Sequence, residues 1–231
     1  MSSEFKLYFC IKIHGMKYAI LCSVLFLIGC GQGKKYHDDE EMVTAKSDLV
    51  ADILKYQKEQ NESFKDPDTS PLPDKYRKDF EGLDFFEPDT TYIVKARFER
   101  TPDAEPFFMP TTTDRKTREV VYGIAHFTLN GSEHQLEVYQ SLDLIEDEEY
   151  EDYLFLPFLD NTNGEETYGG GRYIDLSIPE GDTLVIDFNK AYNPYCVYNK
   201  KYSCPLVPRQ NYLRTKVRAG VKNFNKDKKK P

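Results

Sequence analysis

The chain has no tryptophan, and only four histidines and five cysteines among its 231 residues. Without tryptophan, the bulk of any core falls to the 17 tyrosines and 15 phenylalanines. The histidines stand in no recognisable Ser-His-Asp or Cys-His order; His126 alternates with Tyr122 and Ile124, as a strand-face residue does. A basic surface is also missing: 31 Lys and Arg face 39 Asp and Glu, a formal net charge of −8. Nonspecific nucleic-acid binding works by displacing counterions with positive charge, so this balance argues against such a partner. Finally, the longest apolar run, from Tyr18 to Ile28, is too short to span a bilayer comfortably.

That run has instead the length of a signal-peptide apolar region. It ends in Leu27-Ile28-Gly29-Cys30, which resembles a bacterial lipobox, whose cysteine is lipidated and becomes the mature N-terminus. Residues 1–30 therefore read as a lipoprotein signal peptide, with Met16 a better start than Met1. The expected location is the bacterial cell envelope, with Cys30 as the membrane anchor. Residues 31–41 read as a flexible tether, 42–224 as a single β-rich domain and 225–231 as a basic, solubilising tail.

Within the domain, residues 42–64 show helical spacing, with Ser47 or Asp48 as cap and Leu49, Ile53 and Tyr56 on one face. Asp66-Pro67 and Ser70-Pro71-Leu72-Pro73 stop that helix. The period then changes to alternation around Tyr92, Val94, Ala96 and Phe98. Asn130-Gly131, between residues 119–129 and 134–140, is the best hairpin signal, since both residue types tolerate positive φ. The acidic residues 142–152 read as a solvated segment. Residues 153–159 form an expected buried strand, followed by strands at 173–178, 184–188 and 213–219. Many short strands with one convincing helix indicate a mainly β fold, an antiparallel β-barrel or sandwich with an N-terminal amphipathic helix.

The unusual stretch is Asp160 to Arg172, which holds two adjacent glutamates, three consecutive glycines and an arginine. Gly169-Gly170-Gly171 matches neither phosphate-loop nor dinucleotide spacing, and no helix pattern follows it. Asp160-x-Thr162-x-Gly164 lacks the third ligand position and the distal glutamate of a calcium loop, so no metal is expected there. Glu165 and Glu166 would point oppositely in an extended segment, which makes them a poor catalytic pair. Arg172 can grip an anion with its planar fork or bridge a carboxylate to fix the turn. Cys196 and Cys204, an even pair in an exported domain, most simply form a disulfide. Two thiolates without a nearby histidine do not complete a zinc shell.

Several motifs together resemble the bacterial domain of unknown function 1684. They are Ser70-Pro-Leu, Phe80-Glu-Gly-Leu83, Leu156-Pro-Phe-Leu-Asp160, Glu166-Thr-Tyr-Gly-Gly-Gly-Arg-Tyr-Ile-Asp175, Asp187-Phe-Asn-x-Ala-Tyr-Asn-Pro194-x-Cys196 and Cys204-Pro-Leu-x-Pro208-x-x-Asn211. The resemblance covers roughly residues 42–222 and implies a shared architecture without an established activity. It carries over Asp160, Thr162, Gly164, Thr167, Tyr168, Gly170, Arg172, Asp187, Asn189, Asn193, Cys196, Cys204 and Asn211 as motif positions. One departure is Val221, where the family usually has glutamate. Members without export signals also carry both cysteines, which leaves a paired-thiol or buried-thiol role open.

Three functional expectations follow. The first is a polar pocket for a small, anionic ligand, needing no cofactor and built from Asp160, Thr162, Thr167, Tyr168, Gly170, Arg172, Asp187, Asn189, Asn193 and Asn211. The second is an envelope hydrolase or transferase using Asp187 or Glu166 as acid or base. The third is a structural role, in which the motifs fix a long loop.

Overall fold

The computed structural model describes residues 36–224. The signal peptide, the lipobox with Cys30, residues 31–35 of the tether and the basic tail lie outside the described residues. Among those described, no helix is long and apolar enough to cross a membrane.

Helix α1 spans Tyr36–Lys65, so it starts before the expected tether ends, and Ser47 and Asp48 lie inside it instead of capping it. Side chains 44–49 are exposed, including Leu49, which was expected on the buried face. Burial begins further on, with Ile53 and Phe64 almost fully enclosed. Exposed ion pairs one turn apart, Lys55–Glu59 and Lys58–Glu62, decorate the other side. The helix stops where sequence chemistry says it should. Asp66-Pro67 removes the next donor, and Ser70 Oγ donates to the freed Phe64 carbonyl at 2.7 Å. Phe64, Leu72, Leu83, Tyr198 and Val221 form a small core beneath this end, beside the short helix α2 (Asp74–Arg77).

The rest is one curled sheet forming a half-barrel. Its strands are β1 (Ile93–Arg100), β2 (Phe107–Pro110), β3 (Lys116–Leu129), β4 (Ser132–Ser141), β5 (Tyr153–Asp160), β6 (Arg172–Ser177), β7 (Thr183–Asp187) and β8 (Tyr212–Leu213). They run in the order β6-β5-β4-β3-β1-β7, with β2 on β3 and β8 on β5. All pairings are antiparallel except β5 with β8. The β3–β4 hairpin turns at Asn130 (φ 52°) and Gly131 (φ 75°), the double positive φ that Asn-Gly accepts at low cost. Strand β2 had no counterpart in the sequence reading; it is four residues long and set among prolines.

Alternation sorts the sheet into two apolar faces. Leu154, Leu156, Phe158 and Ile174 join Ala96, Phe98, Leu136, Val138 and Ile186 in the main core. Tyr153, Phe155 and Tyr173 lie on the other face with Met109 and Tyr139. A strand buried on both sides reads as a continuous apolar run, which is what β5 shows.

The expected last strand, 213–219, is a correction. Only Tyr212–Leu213 pairs as a strand, parallel to β5. Val217 and Ala219 are buried as a strand's inward residues would be, but their carbonyls bond a side chain, Arg172, and not a neighbouring strand.

Candidate functional site

The polar motif residues are brought inward, in four separate clusters. In the first, Asp160 at the end of β5 is 2% exposed and Arg172 at the start of β6 is 0% exposed. Arg172 Nη2 donates to Asp160 Oδ2 at 2.9 Å and to the Val217 carbonyl at 2.8 Å. Its Nη1 donates to the carbonyls of Ala219 and Val221. Asp160 Oδ1 accepts the Thr162 N–H at 2.8 Å and the Val217 N–H at 3.2 Å. Burial pulls the guanidinium below its ordinary pKa, and the Asp160 charge opposes that pull. Thr162 and Thr167 share a buried hydroxyl contact at 2.8 Å, and Asn163 ties Thr167 to the Tyr168 carbonyl. Gly171 has φ 92°, and a Cβ there would sit 2.6 Å from the Phe158 carbonyl oxygen, so only glycine lets the loop close on β5.

The other clusters also turn most of their polar atoms inward. Asp187 Oδ1 caps its turn by accepting Asn189 N–H at 2.9 Å, and the Asn189 amide clamps both N–H and C=O of Asp89. Asn193 Nδ2 donates to the Lys222 carbonyl at 3.0 Å. Asn211 bonds Glu137 N–H and C=O and the Pro157 carbonyl. These partners are fold groups, and both terminal nitrogens of Arg172 are taken up by them; Arg172 Nε and Asn193 Oδ1 are the buried motif atoms that complete no hydrogen bond. Glu166 is likewise committed: it pairs at the surface with Arg218 at 2.9 Å, which holds its carboxyl below the usual range. Neither acid–base candidate, Asp187 or Glu166, lines the cavity described below.

The expected Cys196–Cys204 disulfide is also a correction: both are free thiols. The Cys196 N–H donates to Cys204 Sγ at 3.1 Å, and burial pushes the Cys204 thiol up to about 12. A buried, protonated thiol accepting a backbone N–H is unreactive.

A cavity with a volume of about 530 Å³ lies elsewhere, on the second face of the sheet. Its floor is Thr117 and Glu119 of β3, Ser141 of β4, Tyr153 and Phe155 of β5, and Tyr173 and Asp175 of β6. Tyr56 and Gln60 of α1 line it from the helix side, and Tyr192, Tyr195 and Tyr202 from the long loop after β7. The helix is locked there by Tyr56, whose hydroxyl donates to the Lys190 carbonyl at 2.9 Å. Asp175 accepts the hydroxyls of Tyr153 at 2.7 Å and Tyr192 at 2.6 Å. Burial first, and then the Asp175 charge, raises the pKa of Tyr56, Tyr153 and Tyr192, so all three are neutral donors.

Glu119 is the buried acid of this lining. It is 3% exposed, and its Oε2, like the neighbouring Thr117 Oγ1, completes no hydrogen bond. Burial raises its pKa from 4.5 to about 7; nearby Thr117 and Ser141 hydroxyls and Arg115 oppose the rise, and Asp143 adds to it. Sequence reasoning treated residue 119 only as the start of a strand. The available signal was that Thr117, Glu119 and Val121 share one face, which puts an acid on an apolar row.

A group whose folded pKa lies above its unfolded value stabilises fully below the unfolded pKa and loses that stabilisation as pH rises through the folded one. Wild type is therefore expected to lose stability relative to Glu119→Gln between pH 4.5 and 8. The relative loss, discounted for residual screening, is about 2 kcal/mol. Urea denaturation of both proteins at pH 5 and pH 8 measures it; an equal difference at the two pH values would contradict the burial of this carboxyl.

Among the described residues, no cluster of three or more His, Cys, Asp or Glu could hold a metal ion. With fold and site in view, the comparisons place the chain. It belongs to the family of proteins of unknown function DUF1684, whose model matches residues 78–222. The solution NMR structure of the uncharacterized protein from gene locus rrnAC0354 of Haloarcula marismortui is similar at 34% identity and a TM-score of 0.60. The match covers 80% of this chain and 97% of that one. No curated protein matches.

Proposed function

We propose that this is a lipid-anchored cell-envelope protein whose β-domain binds a small organic molecule in the tyrosine-walled cavity. One observation carries the reading. A cavity of about 530 Å³ has the size of a metabolite site, and two residues of its lining, Glu119 and Thr117, each have a buried side-chain oxygen that completes no hydrogen bond. Native interiors rarely leave such atoms unpaired without a bound partner, water or chemistry to meet them. The anchoring half of the proposal rests on the lipobox-like Leu27 to Cys30.

The absence of tryptophan supplies the test, because a single introduced indole is then the sole reporter of its kind. In the full chain, Gln60→Trp places that indole at the cavity wall, and Val185→Trp places it on the exposed side of β7. Titration with 2-phenylethanol, a probe with an apolar ring and one hydroxyl, is expected to change emission from position 60 in a saturable way and leave position 185 unchanged. If the two reporters respond alike, or if neither saturates, the cavity is not a ligand site.

A further inference from the structure

Building on that reading, we propose that the cavity selects a molecule bearing a protonated amine. The ammonium would sit against Glu119 and the carbon skeleton against Phe155, Tyr153 and Tyr173. Three carboxylates line the cavity (Glu119, Asp143 and Asp175) against two cations, Arg115 and Lys190. Lys190 Nζ is paired with Asp52 at 2.7 Å, whereas Arg115 Nη2 donates only to the neutral Ser203 carbonyl at 2.7 Å and its charge also acts on Glu119, which leaves the three acids in excess by one.

The carboxylates, by contrast, meet mainly neutral donors. Asp175 takes two tyrosine hydroxyls, and Asp143 takes the Arg118 N–H at 3.2 Å. Glu119 Oε2 is buried and completes no hydrogen bond. A buried carboxyl of this kind is stabilised most by a cation brought within hydrogen-bond distance, since the charge-assisted bond offsets its desolvation. Aromatic walls add to the preference, because ring faces attract an ammonium. An anionic ligand meets the opposite situation: the fully buried Arg172 donates to Asp160 and to three backbone carbonyls, and it does not line the cavity.

Binding a cation favours ionised Glu119, so affinity should rise with pH up to about 7 and level off above it. The other ionisable groups facing Glu119 are Arg115, Asp143, Tyr139 and Tyr153. The two tyrosines have raised pKa values, mainly from burial, and stay neutral through this range.

The test uses three probes of one shape: 2-phenylethylamine as cation, 2-phenylethanol as neutral form and phenylacetate as anion. Their affinities are read with the Gln60→Trp reporter between pH 5.5 and 8.5. The amine is expected to bind roughly tenfold more tightly than the alcohol at pH 8, with the anion weakest. That advantage should fall toward pH 5.5 and disappear in Glu119→Gln, while the alcohol's affinity changes little. Tightest binding by phenylacetate, or an amine advantage that survives Glu119→Gln, overturns the proposal. If the alcohol binds and the amine is no tighter, the cavity remains a ligand site and only the cation preference fails. If none of the three binds, both readings fail together.

Discussion

Replacing Arg172 with methionine is expected to destabilise the domain by roughly 3–5 kcal/mol, because it strands the buried Asp160 charge. For a domain of this size, that corresponds to a fall in Tm on the order of 10 °C. The guanidinium does two things at once. It neutralises Asp160, whose side chain has no solvent contact, and it supplies donors to the carbonyls of Val217, Ala219 and Val221. Those carbonyls come from alternate residues, as the exposed edge of a strand would present them, and Asp160 Oδ1 returns the acceptor for Val217 N–H. The Asp160–Arg172 pair thus stands in for a missing neighbouring strand. Arg172→Lys should not rescue stability, since one ammonium cannot reproduce a planar fork reaching four oxygens. Arg172→Met combined with Asp160→Asn should recover part of the loss by removing the unpaired charge. Thermal and urea denaturation of the three variants decide the matter. A single Arg172→Met change that costs less than about 1 kcal/mol would mean the pair is not what holds the C-terminal segment.

This arrangement also explains which parts of the molecule were legible in the sequence. The hairpin was, because Asn130-Gly131 encodes its own φ angles locally. Strand β5 was, because burial on both faces leaves a continuous apolar run. The start of α1 was not. Side chains 44–49 are exposed, so no apolar period marks that stretch. The end of the chain misled for a related reason. Leu213, Val217 and Ala219 have inward burial, but whether a segment is a strand depends on where its carbonyls go. That answer lay 45 residues away, in Arg172.

The site was hidden in a different way. Polar residues in an unusual loop suggest a ligand surface, yet buried polar residues in a fold with long irregular segments must first satisfy backbone. Residues 188–224 run with little regular pairing, and Asn189, Asn193 and Asn211 each supply donors there that a sheet would otherwise supply. The cavity wall is drawn from β3 to β6, α1 and the long loop, and includes six tyrosines that looked like ordinary core. With no tryptophan available, tyrosine had to fill the core, which masked the few that face a cavity.

Asn211 offers the sharpest test of this backbone-satisfying role. Its Oδ1 accepts Glu137 N–H at 2.9 Å, and its Nδ2 donates to the carbonyls of Glu137 and Pro157, both at 2.8 Å. Two separate facts require it. Strands β4 and β5 register only at Tyr139 and Phe155, and Pro157 has no N–H to extend the ladder. The side-chain amide therefore acts as an inserted peptide group between them. Asn211→Ala removes three buried hydrogen bonds at roughly 1 kcal/mol or more each, an expected loss of about 3 kcal/mol. Asn211→Asp separates hydrogen bonding from simple packing. The introduced carboxylate can still accept from Glu137 N–H, but it faces two carbonyl oxygens and should be at least as damaging as alanine at pH 7. Those carbonyls and its burial raise its folded pKa, so protonation, which restores one donor, should recover stability as pH falls toward 4. Denaturation of Asn211→Ala and Asn211→Asp at pH 7 and pH 4.5 reads the contrast. If the two variants keep the same stability difference at both pH values, Asn211 fills space between β4 and β5 without serving as their hydrogen-bonding bridge.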